Sequence, residues 1–234
     1  MPKEIDLKVK EIIQRTYNVI SVRLKSGCDL DYQAGQFLQV TLSGDPSLKR
    51  YLSISSSPTE KGYIEFTKKI TQSSFSRALQ NLKSGDSVRV QYPMGKFILD
   101  DPAAKIAFLS GGIGITPIRS IAKFVIDREL GTDMVLLYAN RSIKDIVFRE
   151  DFEAMQRRSK SFKVMHVLCE SAPGFKCTVG LINGAVIKNE IPDFLQRKFF
   201  LCGPPQMVEA MKNILSGELG LAGENIVTEN FSGY

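Results

Sequence analysis

The chain has 234 residues, which is long enough for one large domain or for two modest domains with separate cores. Its 31 lysine and arginine residues exceed its 25 aspartate and glutamate residues, and the formal net charge is +6. Because the basic residues are spread along the sequence and form no block, a nucleic-acid-binding arm is not indicated. A mildly basic surface suits an acidic protein partner, although an ordinary solvated surface explains the same charge.

The cysteines and the N-terminal residues exclude two further classes of protein. The four cysteines contain no C-x-x-C pair and no spacing suited to zinc or an iron–sulfur cluster, so we expect no metal site. The first residues, Met1-Pro2-Lys3-Glu4, lack an apolar signal region, and no apolar run approaches the ~20 residues of a membrane span. The sequence therefore predicts no membrane span and a reducing, cytoplasmic location.

Residues 1–100 contain short runs in which apolar and polar residues alternate, a pattern typical of half-buried strands. Turn signals such as Ser43-Gly44-Asp45-Pro46 and Ser84-Gly85-Asp86 separate these runs. One helical segment is expected at residues 74–82. The pattern predicts an antiparallel β-barrel domain, with a β-sandwich as the alternative.

Residues 101–234 have a different hydrophobic pattern, in which continuous apolar runs alternate with segments of helical periodicity. This pattern predicts a second, α/β domain with a doubly wound parallel sheet. We expect the two domains to pack directly against each other and to bind ligands in the cleft between them. The apolar runs predicted as strands are residues 106–109, 134–138, 164–168, 199–201 and 226–228. The predicted core faces of the helices are Ile118, Ile121, Ala122 and Val125; Phe148, Phe152 and Met155; and Met207, Ala210, Met211 and Ile214.

The most informative segment is the glycine loop of residues 111–117, GGIGITP, which connects an apolar strand to a helix. We expect Gly111, Gly112 and Gly114 to allow positive φ and close backbone approach, and Thr116 to cap the helix. A helix that begins in this way presents free N–H groups to an anion such as a pyrophosphate. No Gly-Lys-Ser/Thr ending is present, which disfavours a P-loop nucleotide triphosphatase, and Pro117 replaces the last glycine of the usual dinucleotide fingerprint.

The segment Arg50-Tyr51-Leu52-Ser53 combines a guanidinium, an aromatic face and a hydroxyl on a predicted strand. Arg50 can clamp a pyrophosphate, Tyr51 can stack on an isoalloxazine ring, and Ser53 can hydrogen-bond near the reactive nitrogen of that ring. Alternation places Tyr51 and Ser53 on the same face of the strand. An edge strand with an exposed arginine would explain the same residues without any ligand.

Three motifs in this order make the chain resemble the ferredoxin-NADP reductase family, and the resemblance spans nearly the whole chain. The flavin motif of the family, R-x-Y-S, takes the form R-Y-x-S at residues 50–53. The glycine loop at residues 111–117 resembles the pyridine-nucleotide loop of the family, where a proline after G-x-G-x-x is ordinary. Residues 202–205, Cys-Gly-Pro-Pro, resemble the motif beside the nicotinamide.

This resemblance implies an enzyme that binds FAD in the first domain and NAD(P)H in the second. Hydride passes from NAD(P)H to FAD, and electrons then go to a protein acceptor such as ferredoxin or another iron–sulfur protein. Lys68, Ser74 and Ser76 correspond to a second contact with the flavin phosphates, although serines replace the usual glycine pair. Only the habit of the family favours FAD over FMN.

The resemblance also implies residues around the site of hydride transfer, with Ser53, Cys202 and Glu229 as the catalytic set. Gly203 lets the nicotinamide approach the backbone and Pro204 stiffens the turn, so Cys202 borders the transfer site without acting as a nucleophile. Glu229 is a polar candidate near the flavin ring. Phe231 and Tyr234 are alternative aromatic lids over that ring. The single histidine, His166, is expected to be structural.

The choice between NADH and NADPH depends on residues after the second and third strands of the nucleotide domain. Asn140 and Arg141 are candidate cofactor contacts, and Arg141 can hold a 2′-phosphate. The segment around them, followed by Asp145-Ile146, resembles the NADH-using cytochrome b5 reductase and nitrate reductase branch. An acidic Glu170 nearby would repel a 2′-phosphate, so NADH is slightly favoured.

Three other functions fit parts of the sequence. A flavin reductase of similar fold would use free flavin as a substrate, although the motif at residues 202–205 argues against it. A non-autonomous electron-transfer subunit, such as the one paired with dihydroorotate dehydrogenase, would carry a cysteine cluster near its C-terminus, and no cysteine follows Cys202. A nucleotide-binding module without turnover is the third alternative.

Overall fold

A computed structural model describes residues 2–27, 30–102 and 104–229 of the chain. Two of the predicted site residues, Phe231 and Tyr234, lie outside the described residues. The first half contains six strands and one short helix. These elements are β1 (Lys3–Thr16), β2 (Val19–Lys25), β3 (Phe37–Leu42), β4 (Lys49–Ser53), β5 (Tyr63–Lys69), α1 (Ser74–Gln80) and β6 (Ser87–Met94).

The six strands of the first half form one antiparallel sheet in the order β4-β3-β6-β1-β2-β5. An antiparallel bridge between Ile54, just after β4, and Phe66 in β5 joins the two end strands and curls the sheet into a barrel. Alternate residues of each strand point inward, as in β3, where Leu38, Val40 and Leu42 are fully buried. The predicted antiparallel barrel is confirmed.

The second half contains a parallel sheet in the order β10-β9-β8-β7-β11-β12. Its elements are β7 (Lys105–Gly111), α2 (Ile115–Asp127), β8 (Asp133–Asn140), α3 (Arg149–Arg158), β9 (Phe162–Leu168), β10 (Thr178–Val179), α4 (Gly184–Glu190), β11 (Lys198–Cys202), α5 (Pro205–Asn213) and β12 (Ile226–Glu229). The central strands β7, β8 and β11 are buried and mostly apolar after their first residue because helices cover both faces of the sheet. The predicted doubly wound domain is also confirmed.

The order of the strands reverses between β7 and β11. From β7 the chain builds outward through β8, β9 and β10, and it then returns to place β11 on the opposite side of β7. In an open parallel sheet, a crevice forms at the carboxyl ends of the two strands that flank such a reversal. Gly111 ends β7 and Cys202 ends β11, so both sequence motifs of this half meet at that crevice.

The starts and buried faces of two helices differ from the sequence expectation. A 3-10 turn, Gly112–Gly114, leads directly into α2, so Thr116 lies inside the first helical turn and donates its hydroxyl to the carbonyl of Ile113. The expected cap at Thr116 was therefore wrong. In α5, Ala210 is exposed and the core face is formed by Val208 and Met211, so the expected face was wrong at Ala210.

One buried arginine joins the two halves. The guanidinium of Arg119 in α2 donates to both carboxylate oxygens of Glu60, at 2.8 and 3.2 Å, and to the carbonyl oxygen of Ser55 in the barrel half, at 2.8 Å. Its Nε also donates to Asp151 in α3, at 2.6 Å. Burial disfavours the charge of Glu60, yet the hydrogen bonds and charge of Arg119, together with hydrogen bonds from Ser57 and Tyr63, hold the pKa of this carboxyl below its usual value.

No helix among the residues that the structure describes is both long enough and apolar enough to cross a membrane.

Candidate active site

The glycine loop packs tightly against the end of β11. A Cβ atom on Gly111 would lie 2.3 Å from the sulfur of Met207, and one on Gly114 would lie 2.3 Å from the carbonyl oxygen of Cys202. Gly114 is therefore required by its contact with the backbone, whereas the flexible Met207 side chain could shift to admit a Cβ at position 111, and neither glycine has positive φ. Only Gly112 has positive φ, at +52°, and nothing lies within 4 Å of its Cβ position. The expectation of positive φ is confirmed at Gly112 and wrong at the other two.

A cavity of about 250 Å³ opens beside the glycine loop. Its walls come mainly from the parallel-sheet half, and Lys69 at the end of β5 is the contribution of the barrel. The predicted cofactor residues Gly111, Gly112, Asn140, Arg141 and Pro204 all line it. The other lining residues are Lys69, Ala139, Asp145, Cys169, Gly180, Leu181 and Met207.

The polar groups around this cavity fit the phosphates and amide of a dinucleotide. The side chain of Asn140 is only 7% exposed, and neither its oxygen nor its nitrogen has a hydrogen-bond partner in the described part of the chain. A buried amide without partners is costly, and a bound polar ligand would relieve that cost. The Ile115 N–H at the start of α2 is bonded within the preceding 3-10 turn, and no side chain caps that turn, so the N–H groups available to an anion are those of the turn itself, Gly112–Gly114.

Thr116 is the exception among the residues predicted to contact the nucleotide phosphates. It does not line the cavity beside the glycine loop; it faces a narrow crevice against the barrel instead. The cause is the early start of α2, which turns Thr116 toward β4 and β5. The crevice is lined by Tyr51, Leu52, Ser53, Thr67 and Lys68 of the barrel and by Ile113 and Thr116 of the other half.

Tyr51 and Ser53 lie on the same face of β4, as the sequence alternation predicted. In the register of β4 with β3, Tyr51 is opposite Gln39 and Ser53 is opposite Phe37. The side chain of Gln39 donates a hydrogen bond to the Tyr51 hydroxyl at 2.8 Å, and the edge of the Tyr51 ring packs on Phe37. Half of Tyr51 is nevertheless exposed, so one aromatic face is open to a planar ligand.

Arg50 and Lys68 bring two positive charges together at one end of the crevice. The Arg50 guanidinium lies 5.5 Å from the centre of the Phe75 ring in α1. Burial and the neighbouring Arg50 charge lower the pKa of Lys68 below its usual value. Two adjacent cations repel each other, so an anionic group such as a phosphate would be stabilised between them.

Ser74 and Ser76, the other predicted contacts of the flavin phosphates, differ in their surroundings. Ser74 is exposed at the start of α1. Ser76 is buried, its backbone N–H donates to the side chain of the capping residue Ser73, and its hydroxyl accepts from the N–H of Thr71. Both polar groups of Ser76 form hydrogen bonds inside the turn, and a contact of Ser76 with the flavin phosphates stays a prediction.

The three residues predicted as catalytic converge where β11 and β12 approach the barrel. Cys202 and Glu229 are paired residues of these adjacent strands, and the Ser53 hydroxyl donates to Glu229 Oε2 at 3.4 Å. Burial raises the pKa of Glu229 to about 8, against the opposing hydrogen bond from Ser53. Burial, together with the Glu229 charge, raises the pKa of the Cys202 thiol well above its usual value. This thiol stays protonated, which is consistent with a residue that is not a nucleophile.

His166 lies in β9 behind the cavity and does not line it. Its ring packs on Phe175 with centroids 5.0 Å apart, and burial lowers its pKa to about 4. The neutral imidazole is therefore part of the packing.

Sequence reasoning did not assign the cavity residues Lys69, Asp145, Cys169, Leu181 and Met207 to the site. Asp145 is the most informative of these, because its carboxylate accepts a hydrogen bond from the Tyr17 hydroxyl, 128 residues away in the barrel half. Burial opposes ionisation of Asp145, but the hydrogen bonds from Tyr17 and Ser142 hold its pKa below the usual value. Two of these residues had a signal in the sequence, Lys69 in the Lys68-Lys69 pair and Asp145 in the Asp145-Ile146 pair.

Comparison with known families agrees with this geometry. Residues 4–98 match the oxidoreductase FAD-binding domain, and residues 108–213 match the oxidoreductase NAD-binding domain. The chain is 31% identical over 224 residues to NADH-cytochrome b5 reductase 1 of Aspergillus clavatus, with 90% of this chain and 72% of that protein covered. It is 36% identical over 197 residues to the glycine betaine monooxygenase reductase subunit of Pseudomonas aeruginosa.

The match to that subunit covers 80% of this chain and 52% of the relative, so the chain spans about half the length of the glycine betaine monooxygenase reductase subunits that it matches. Solved structures share the fold. The Amycolatopsis cytochrome P450 reductase GcoB superposes with a TM-score of 0.86 at 22% identity, covering 100% of this chain and 72% of that one. A ferredoxin NADP+ reductase from Neisseria gonorrhoeae gives 0.83 at 20% identity, with coverages of 97% and 98%.

The chain belongs to the ferredoxin reductase-like family of FAD- and NAD(P)-binding oxidoreductases, which includes the cytochrome b5 reductases. It is an enzyme, a flavin-dependent oxidoreductase whose cofactors are FAD and NAD(P)H. The resemblance inferred from the three motifs is confirmed.

The elevated pKa of Glu229 predicts how stability depends on pH. The native state keeps the proton of Glu229 up to about pH 8, whereas the unfolded chain loses it near the ordinary value of 4.5. Between these values the native state binds more protons, so this residue lowers the free energy of unfolding as pH rises, by up to about 1.4 kcal/mol per pH unit. Glu229→Gln should flatten that dependence between pH 5 and 8 in urea denaturation.

The exposed Glu224, in the turn before β12, provides the matched control. Glu224→Gln should retain the pH dependence of the wild-type protein. An identical slope in Glu229→Gln and the wild type would show that Glu229 ionises freely in the native state.

Proposed function

We propose that this chain uses NAD(P)H to reduce FAD held by the barrel and then reduces a protein acceptor, such as a ferredoxin or another iron–sulfur protein. The main support for this proposal is that the cavity and the crevice meet at the start of the same helix, α2. The cavity beside Gly112 and the crevice beside Ser53 both contact the segment that begins α2. We place the boundary between the two domains at residues 100 and 101, between β6 and β7.

The barrel residues have separate tasks in this proposal. Arg50 and Lys68 bind the flavin phosphates, and Ser74 adds its exposed backbone at the start of α1. The open face of Tyr51 stacks on the isoalloxazine ring, and Ser53 hydrogen-bonds to its edge. A bound FAD supplies the chemistry that the side chains lack, since it accepts a hydride as a pair of electrons and releases electrons one at a time.

The parallel-sheet half orients the nucleotide. The N–H groups of the 3-10 turn that begins at Gly112 bind the pyrophosphate, and the buried amide of Asn140 forms its hydrogen bonds with the ligand. Pro204 lines the cavity, whereas Cys202 and Gly203 pack against the glycine loop and maintain its shape. Orientation of two reactants in this way accounts for a large part of the rate acceleration in many enzymes.

Glu229 controls the charge next to the crevice. Because its pKa is raised to about 8, the carboxyl is mainly protonated at pH 7. A neutral side chain beside Ser53 avoids an unpaired negative charge at the place where hydride, itself negative, enters the barrel. The proton is held at a carboxyl oxygen next to Ser53 Oγ, and no general base is required.

The charges at the cavity favour NADH over NADPH. Arg141 is exposed at the rim and can bind a 2′-phosphate, but Asp145 lines the same cavity and is held ionised. Glu170 adds a second exposed carboxylate after β9. Asp145 and Glu170 together offset the Arg141 charge, and Lys69 on the barrel side of the cavity is the second cation, so the charges favour NADH only slightly.

The names of relatives and structural neighbours support a protein as the acceptor. One set of relatives is described as the reductase subunit of a monooxygenase, and one structural neighbour as the ferredoxin reductase of carbazole 1,9a-dioxygenase. The net charge of +6 is complementary to an acidic, ferredoxin-like partner.

An anaerobic titration tests the function. The purified protein should be yellow, and NADH should bleach its flavin absorption at lower concentration than NADPH does. Colourless protein that reduces added free flavin would indicate a flavin reductase. Protein that holds flavin and is bleached by neither nucleotide would contradict the proposed function and favour a binding module without turnover.

Arg50→Ala tests the placement of the flavin. Loss of a charge-assisted contact to phosphate costs about 1.5–3 kcal/mol, so the Kd for FAD should rise roughly tenfold to a hundredfold while the Kd for NAD+ changes little. Fluorescence titration of the flavin and calorimetry with NAD+ measure the two constants. Lys49→Ala, which removes the neighbouring exposed charge, is the control. A larger effect on NAD+ than on FAD would refute the placement.

A further inference from the structure

Cys169 lies at the carboxyl end of β9, on the wall of the cavity beside the glycine loop. It is exposed, and its backbone N–H donates to the carbonyl oxygen of Asn140 at 3.2 Å. This bond ties the backbone of Cys169 to the end of β8. A group attached to the Cys169 sulfur would therefore start on the wall that Cys169 shares with Asn140 and Gly112.

The unpaired amide of Asn140 is independent evidence that a ligand enters this cavity. Its oxygen and nitrogen are buried without hydrogen-bond partners, and Asn140 lines the cavity together with Cys169. A ligand that satisfies Asn140 and an adduct on Cys169 would compete for a volume of about 250 Å³. A glutathionyl group on Cys169 would occupy part of that volume and so compete with the phosphates of a dinucleotide.

The charges of the cavity attract an anionic reagent. Lys69 and Arg141 are lining residues and both are exposed. The carboxylate of Asp145 lies on the same wall, but it is hydrogen-bonded by Tyr17 and Ser142. Lys69 and Arg141 can pair with the carboxylates of a reagent such as glutathione disulfide, whereas the exposed Glu170 next to Cys169 opposes its approach.

Cys169 is the most accessible of the three cysteines that the structure describes. Cys202 is 1% exposed, and Cys177 is partly buried and is not part of the cavity wall. Accessibility is required for attack on a disulfide in solution, so reaction should be selective for Cys169.

We propose that Cys169 is a thiol modification site at which a glutathione-type disulfide closes the nucleotide cavity, an inference that rests on the proposed function of that cavity. The Cys169 thiolate attacks one sulfur of glutathione disulfide, and the bond between the two glutathione sulfurs breaks. A mixed disulfide forms on Cys169, and the second glutathione leaves as a thiolate, which takes up the proton that Cys169 lost. Cys169 is oxidised and one glutathione is reduced, so a thiol reductant reverses the step.

The test uses the FAD-loaded protein and glutathione disulfide. Intact-protein and peptide mass spectra should show one glutathionyl group, located on Cys169, and saturating NAD+ should slow its attachment at least about tenfold. Calorimetry should give a Kd for NAD+ that is at least about tenfold higher in the modified protein, while the flavin spectrum is retained. Dithiothreitol should restore the original Kd.

Two variants make the outcome decisive. In Cys169→Ser, glutathione disulfide should leave the Kd for NAD+ at the value measured before treatment in that variant. In the matched control Cys177→Ser, the treatment should raise the Kd as it does in the wild type. Equal responses of the two variants would overturn the proposal.

Failure of the inference and failure of the proposed function give different results. If NADH bleaches the flavin but Cys169 is not modified, or is modified with no change in the Kd for NAD+, the modification site is wrong and the function stands. If the untreated protein neither binds NAD+ nor is bleached by NADH, the proposed function is wrong and the inference fails with it.

Discussion

The structure depends on a buried guanidinium that joins two unrelated sheets. Arg119 belongs to the parallel-sheet half, yet three of its hydrogen bonds end on Ser55 and Glu60 of the barrel half. Placing this charge away from water is costly, and the cost is offset only while Glu60 and Asp151 remain in position. Ser120 adds a neighbouring hydrogen bond of 2.6 Å to the carbonyl of Ser56. Sliding of one sheet over the other would leave a buried charge unpaired.

This constraint matters because the same helix carries the start of the nucleotide site. The 3-10 turn of residues 112–114 and the first turn of α2 lie between the cavity and the crevice, so Arg119, one turn further along, sets the position of both. The hydrogen bond between Ser53 and Glu229 adds a second contact between the barrel and the parallel-sheet half, at β12. A nicotinamide nucleotide in the cavity and a flavin in the crevice can therefore be held at a constant separation without any moving element.

The sequence predicts the barrel and the parallel sheet well because their hydrophobic patterns differ. Apolar and polar residues alternate in the barrel strands, whereas continuous apolar runs form the parallel strands. Sequence reasoning also named Ser53, Asn140 and Cys202, which lie at strand ends where function concentrates in this fold. It could not find the contact of Arg119 with Glu60 or that of Asp145 with Tyr17, because these partners are 59 and 128 residues away along the chain. The prediction that Thr116 caps α2 was wrong for a local reason, because a 3-10 turn precedes α2 and the helix begins before Thr116.

The most direct test of this arrangement is the rate at which saturating NADH bleaches the flavin of Arg119→Met in an anaerobic stopped-flow experiment. The variant keeps Arg50 and Lys68, so it should retain FAD. A shift of about 1 Å between two reactants can cost about a hundredfold in rate, and we expect bleaching to slow by that order. The same change at Arg89, which pairs with Asp6 on the exposed surface, should leave the rate unaltered. If NADH bleaches FAD-loaded Arg119→Met at the wild-type rate, the central role of this residue is contradicted.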